Sequence, residues 1–164
     1  MPKLQIKAKF TGPIFNGKFK GIMRKIYKDA ITELVLTGET LVSEGTPVGV
    51  TGFARAGIQG KVIRHNLGAV QATGPGAKYI DVIEGGRASG RRFPPVDEIM
   101  LWVRRKLRVP PSELKSVTYL VGRKIAKKGI KGKFMFAKAE RKMVRRIRRR
   151  IELANTQIEK KLSD

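Results

Sequence analysis

Cysteine is absent from the 164 residues, and histidine and tryptophan occur once each. Without thiols the chain can form neither a disulfide framework nor a thiolate metal site. The single His65 has no second histidine or cysteine beside which to complete a transition-metal set. It reads as a surface or strand histidine in a glycine-rich region. Aromatic residues are only 7%, and no RNA-recognition motif built on stacking aromatics is present. No apolar run approaches the ~20 residues that cross a bilayer. The opening MPKLQIKAKF lacks the apolar stretch of a secretory signal. The expectation is a soluble chain made in the cytoplasm, with no membrane partner. Acidic residues are also scarce, 13 against 36 Lys and Arg, which leaves a net charge of +23.

The positive excess is uneven. Residues 1–100 hold 15 basic and 8 acidic side chains, whereas residues 101–164 hold 21 and 5. So positive a field repels itself unless an anion offsets it. Nucleic acid is the commonest large anion and an acidic membrane the second; a merely solubilising surface is the bland alternative. Hydrophobic residues make up 41%, enough for one packed domain over residues 1–164.

The N-terminal residues 1–14 read as a strand or arm. Leu4, Ile6, Ala8 and Phe10 alternate with Lys3, Gln5, Lys7 and Lys9, the period of a half-buried strand, and Gly12-Pro13 ends it. A long helix is expected from Phe15 to Glu44, with Phe19, Ile22, Ile26, Ala30, Leu34 and Leu41 on its apolar face and Gly45 as its C-cap. Gly38 weakens its centre by about 1 kcal/mol against alanine. Residues 46–92 are rich in glycine, with β-compatible runs at Phe53–His65 and Leu67–Ala72 and a mobile interface loop over residues 85–93.

Pro94-Pro95 starts a helix over Val96–Leu107, with Trp102 as its anchor. Ser112 is placed to cap a third helix to Lys128, with Leu114, Val117, Val121 and Ile125 inward and Gly129 closing it. A basic fourth helix is expected over residues 137–162, its seam formed by Met143 or Val144, Ile147, Ile151, Ala154, Ile158 and Leu162. The fold class is therefore α+β: a small, mostly antiparallel sheet packed with a long N-terminal helix and C-terminal helices.

No constellation carries catalytic chemistry, and no cofactor is implied. The stretch ATGPGAKY, Ala72–Tyr79, has the wrong glycine spacing for a phosphate loop, and Tyr79 follows Lys78 where Ser or Thr is needed. Asp97 and Glu98 suit a helix start better than a metal. Asp81 and Glu84 form the other carboxylate pair, and nothing gathers the two pairs into a nuclease cluster.

The most distinctive segment is ERKMVRRIRRRIELA. Seven of the ten residues from Arg141 to Arg150 are Arg or Lys. On a helical wheel Met143, Val144, Ile151, Ala154 and Ile158 fall within about 60° of Ile147. Arg141, Arg145, Arg148 and Arg149 point away, with Lys142 and Arg146 on the flank. An exposed face of Arg and Lys, with no Asn, Gln or Ser, meets phosphate without reading bases. These six are candidates to face DNA or an acidic partner; a solvated face that contacts nothing is the alternative.

Four segments together resemble the tail-completion, or neck, proteins of tailed phages, in the gene-product-ten-like family of the Hong Kong 97 type. GTPVGVTGFARAGIQGKV resembles their Pro-Val-x-Thr-Gly turn and strand, matching at Thr46, Pro47, Val48, Thr51, Gly52, Arg55 and Ile58. YIDVIEGG matches at Tyr79, Glu84 and Gly86. RRFPPVDEIMLWVRRKL resembles their Pro-Pro and Ile-x-x-Trp-Val helix, and VGRKIAKKGIKGKFMFAKA their Phe-Phe and closing helix. The order holds over most of residues 15–160. Val50 is an extra residue, Ala56 and Gly57 fall in the Leu/Ser region, and Arg87 replaces a usual Thr. The resemblance implies a structural, non-catalytic virion subunit at the head–tail neck. It implies a homo-oligomeric ring, expected to be hexameric, between head-completion and tail-terminator proteins, with double-stranded DNA in its lumen. It makes Arg87, Arg91 and Arg92 candidates for an interface loop. The alternative reading is a sequence-nonspecific nucleic-acid-binding protein associated with the ribosome or nucleoid.

Overall fold

The computed structural model describes residues 2–8 and 20–163. The expected Phe10 position, the Gly12-Pro13 stop and the first turn of the long helix at Phe15–Phe19 lie outside the described residues. So does the side chain of Leu162.

The fold is α+β. Strand β1, Leu4–Lys7, buries Leu4 and Ile6 and exposes Gln5 and Lys7, as its alternation dictates. Helix α1, Lys20–Gly45, spans 26 residues, about 40 Å at about 1.5 Å per residue. Its buried stripe is Met23, Tyr27, Ala30, Ile31, Leu34, Val35, Gly38 and Val42. The stripe is therefore rotated from the expected face, and Ile22 is exposed. Strands β2, Ile58–Arg64, and β3, Leu67–Ala72, form an antiparallel hairpin, and β1 adds antiparallel to β3, giving the order β1-β3-β2. The start of the expected Phe53–His65 strand is instead the helical turn α2, Phe53–Ala56, entered through Gly52 at φ 73°.

Close contact between α1 and the sheet explains three glycines. Val35 presses into the sheet where Gly60 and Gly68 leave room. A β-carbon on Gly60 would lie 2.5 Å from Val35 Cγ1, and one on Gly68 would overlap Val35 Cγ2. Gly38, which reads as a weak point in an isolated helix, lies against Leu4 and Val70 at 3.2 Å from where its β-carbon would stand. The Glu39 carboxylate crosses the same interface and accepts the Gly60 N–H at 2.8 Å.

Helix α6, Met135–Ser163, runs antiparallel to α1. Gly45 lies by Met135, Glu33 by Arg150 and Tyr27 by Asn155. Met23, Tyr27 and Ala30 close one end of this pair with Ala154 and Ile158. Met143 is fully buried and Val144 exposed, which resolves the seam in favour of Met143.

Between sheet and α6 the chain builds a helical hairpin. After the turn at Ala77–Tyr79 come α3, Ile80–Gly85, and the two-residue strand β4, Gly86–Arg87. Helix α4, Val96–Trp102, continues as a π-turn through Leu107 and packs on α5, Leu114–Lys128. Val103 is fully buried while Trp102 is 39% exposed, so Ile99 and Val103 anchor this hairpin rather than Trp102. Ser112 caps nothing: α5 begins at Leu114 without a side-chain cap. Its buried residues are Thr118 and Gly122, with Leu114, Val117, Val121 and Ile125 half-buried. Gly129, at φ 71°, ends α5 as expected, and β5, Ile130–Lys131, pairs with β4.

If Val35 and Gly68 compete for one space, Gly68→Ala should lower stability by about 1–3 kcal/mol. The double variant Gly68→Ala/Val35→Ala should then be more stable than Gly68→Ala alone. Urea unfolding of the four proteins in that cycle checks it; simple addition of the two losses would refute the fit.

Candidate nucleic-acid interface

Helix α6 starts two residues before its expected origin because a distant carboxylate caps it. Glu84 Oε2 accepts the Phe136 N–H and Glu84 Oε1 the Ala137 N–H, both at 3.0 Å. A negative group on the open amides of a first turn satisfies two orphan donors and complements the helix dipole. The backbone reinforces the junction: Lys133 N–H donates to Ile83 O at 2.8 Å and Phe134 N–H to Glu84 O at 3.1 Å. Phe134 sits at φ 52° with its ring half out in solvent, while Phe136 turns into the core.

From this fixed start the seam is set, and so is the outer face. Arg141, Lys142, Arg145, Arg146, Arg148 and Arg149 are all exposed, as the wheel requires. None of them has an acidic partner among the described residues. Arg150, next in the run, is different. It turns inward to α1, where its Nε donates to Glu33 Oε2 at 2.5 Å. Only 17% of its side chain remains exposed. The helix thus divides its arginines: one ties the two long helices and six basic residues face solvent.

Further cations surround the start of α6. Lys133, Lys138 and Lys142 line a cleft of about 300 Å³ beside Glu44 and Gly45 at the end of α1. Helix α1 has no basic residue in its own last turn, so these lysines face its negative end. On the hairpin, exposed Arg123, Lys124, Lys127 and Lys128 lie along α5 and add to the positive surface.

The expected mobile loop over residues 85–93 is held by the backbone at two points. Gly86 and Arg87 pair with Lys131 and Ile130, and Gly90 N–H donates to Ala126 O at 2.8 Å. Arg91 and Arg92 are exposed and Arg87 is half-buried, its guanidinium donating to the Arg92 carbonyl. The structure does not bring this loop into the α6 outer face; it stands at the helix's N-terminal end, just beyond the Glu84 cap.

A polar tie holds the hairpin to the body. Tyr79 Oη donates to Glu98 Oε1 at 3.0 Å, and Lys78 Nζ stands 3.7 Å from the same oxygen. The Tyr79 hydrogen bond, before any other cause, holds the Glu98 carboxyl below its ordinary value. Neither Glu84 as a remote cap nor the Arg150–Glu33 pair carries a local sequence signal, because each partner is far away along the chain. Among the described residues no group of three His, Cys, Asp or Glu could hold a metal ion. No described helix is long and apolar enough to cross a membrane.

Replacing Arg145, Arg148 and Arg149 together with glutamine should change the unfolding free energy by less than about 1 kcal/mol, as surface substitutions do. Met143→Asp, which buries a charge, should prevent folding; circular dichroism and denaturant unfolding separate the two. A lowered Glu98 carboxyl stabilises above the unfolded carboxylate pKa and loses that stabilisation as pH falls through the folded one. In Tyr79→Phe the Glu98 pKa should move back up, so the loss should begin at higher pH. Carbon-detected NMR titration of the Glu98 carboxyl reads this directly, and an unmoved pKa would refute the tie.

No protein-family model matches the chain, and no curated protein and no solved structure matches it.

Proposed function

We propose that the chain is a structural, non-catalytic ring subunit of a tailed-phage head–tail neck, whose exposed arginine face meets the DNA that passes through. The observation that supports this reading most directly is where the motif positions fall. Several of them occupy joints of the fold. Thr46 is fully buried, its hydroxyl donating to Val42 O at 2.7 Å. Arg55 Nε donates to Thr46 O at 2.8 Å, tying α2 back to the end of α1. Gly52 supplies the left-handed entry to α2. Glu84 caps α6, and Gly86 at φ 81° starts the ladder to β5. Val48, Thr51 and Trp102, which also match, are exposed, but the five named here set the path of the chain.

The cationic face supports the DNA clause. Six exposed Arg and Lys without carboxylate partners among the described residues suit a sequence-neutral phosphate surface. The same face and the charge of +23 favour the second reading, a free nucleic-acid-binding protein. Quantitative mass spectrometry of purified phage particles from the source separates them. The neck reading expects a small, symmetry-related copy number per particle, counted against the portal. Absence from particles, with the protein in ribosome or nucleoid fractions, would overturn it in favour of the second.

A further inference from the structure

Arg87, Arg91 and Arg92 line an open cleft of about 530 Å³ together with Val82, Gly86 and Ala88. Two features set this corner apart from a chance gathering of surface charge. The first is that its backbone is held. The β4–β5 ladder fixes Gly86 and Arg87, and the Gly90 N–H is anchored on α5. The two chain segments lie too close for a side chain between them: a β-carbon on Gly86 would overlap Ile130 O, and one on Gly129 would overlap Arg87 O. The Arg87 guanidinium also clasps the Arg92 carbonyl, folding the loop back on itself. The arginines are therefore presented from a preformed frame, which lowers the ordering cost of binding.

The second feature is uncompensated charge. Among the described residues no carboxylate pairs with Arg87, Arg91 or Arg92. Glu84, close in sequence, is committed to the α6 amides, and Asp81 has an interaction of its own. Across the ladder stands another cation, Lys131. Guanidinium groups match phosphate oxygens with paired hydrogen bonds, a geometry that lysine does not reproduce.

We propose that this corner is a phosphodiester-binding site, a second anchor for a nucleic-acid backbone at the N-terminal end of α6 and separate from the helix's outer face. It rests on the DNA clause of the proposed function and names the backbone phosphate as the ligand. A phosphate polymer suits the surroundings better than an acidic peptide. Lys131 stands opposite Gly86 and exposed Lys133 follows it toward the start of α6, and a nucleic-acid strand supplies a row of backbone charges that several such cations can meet.

The test is binding of a short mixed-sequence DNA duplex to the full chain, by fluorescence anisotropy across a salt series. Arg87→Gln/Arg91→Gln/Arg92→Gln should weaken binding and reduce the log–log salt slope by about 2–3, at about 0.9 for each phosphate no longer neutralised. Arg145→Gln/Arg148→Gln/Arg149→Gln should reduce it separately, and the two reductions should add. Replacing the three corner residues with lysine should keep most of the slope and still lose affinity, because charge survives and the fork does not. Circular dichroism monitors folding; if the corner triple fails to fold, Arg91→Gln alone should still lower the slope by about 0.9. An unchanged slope in the corner variants, with the α6 variant still weakened, would overturn this site and leave the DNA clause standing. No duplex binding by the unsubstituted chain would remove both. Polyglutamate displacing the duplex as well, charge for charge, as unlabelled duplex does would make the ligand an acidic polypeptide and overturn the proposal.

Discussion

The packing of α1 as a shared wall is the constraint on which the rest depends. The helix buries Ile31, Val35 and Gly38 against the sheet, and Met23, Tyr27 and Ala30 against α6. The sheet strands flank it in sequence and α6 comes from the far end of the chain, and both pack on this one helix. The sheet has only three short strands, and its inner face carries Gly60 and Gly68 where larger residues would otherwise supply apolar surface. Those glycines let the α1 backbone approach closely, and Val35 fills the space that they leave. Loss of side-chain burial on the sheet is thus offset by closer packing of a helix against it.

Helix α6 makes an opposite demand. Like charges at spacings of three and four residues destabilise a helix by about 0.2–0.5 kcal/mol per pair. Arg141, Arg145 and Arg149 form one such row, and Lys142 and Arg146 another. Three things offset the repulsion. Arginine and lysine have good intrinsic helix propensity. Met143, Ala154 and Ile158 bury the seam. Glu84 fixes the first turn from outside the helix. The last acts with the fewest atoms, since one carboxylate satisfies two amides and sets the point from which every later residue takes its angle on the wheel. The arginine face is therefore aimed by α3, more than fifty residues upstream.

Periodicity made much of this visible in the sequence. The run Leu67–Ala72 is a strand with those bounds, and the alternation of Leu4, Ile6 and Ala8 gives their burial. The α6 seam follows from its spacing because one broad apolar stripe meets one partner. Periodicity was less sufficient for α1, which is apolar toward two neighbours, so a single-face template rotated the stripe and counted Ile22 in. Trp102 shows another limit. Size suggested an anchor, but Ile99 and Val103, four residues apart, already fill the contact with α5, and the π-turn that begins at Val103 leaves Trp102 lining an open groove with Val121, Ile125 and Ile130. The cap made by Glu84 and the inward turn of Arg150 escaped altogether. They act on partners brought near only by the folded chain, and nothing local distinguishes them from other surface charges.

The division within the arginine run also bears on what its outer face can recognise. Arg150 lies on the α1 side, where Glu33 meets it, and its neighbours Arg148 and Arg149 do not. Between Glu140 and Arg149 the exposed side chains are Arg, Lys, one Glu and one Val. Such a face offers donors in plenty and almost no acceptors. Base edges present donors and acceptors together, and discrimination among them draws on amides and hydroxyls as well as arginine. Phosphate oxygens present acceptors alone. Under the proposed function, a surface of this composition would gain affinity from any nucleic-acid sequence alike, which suits a protein past which DNA must move and would serve poorly one that must stop at a site.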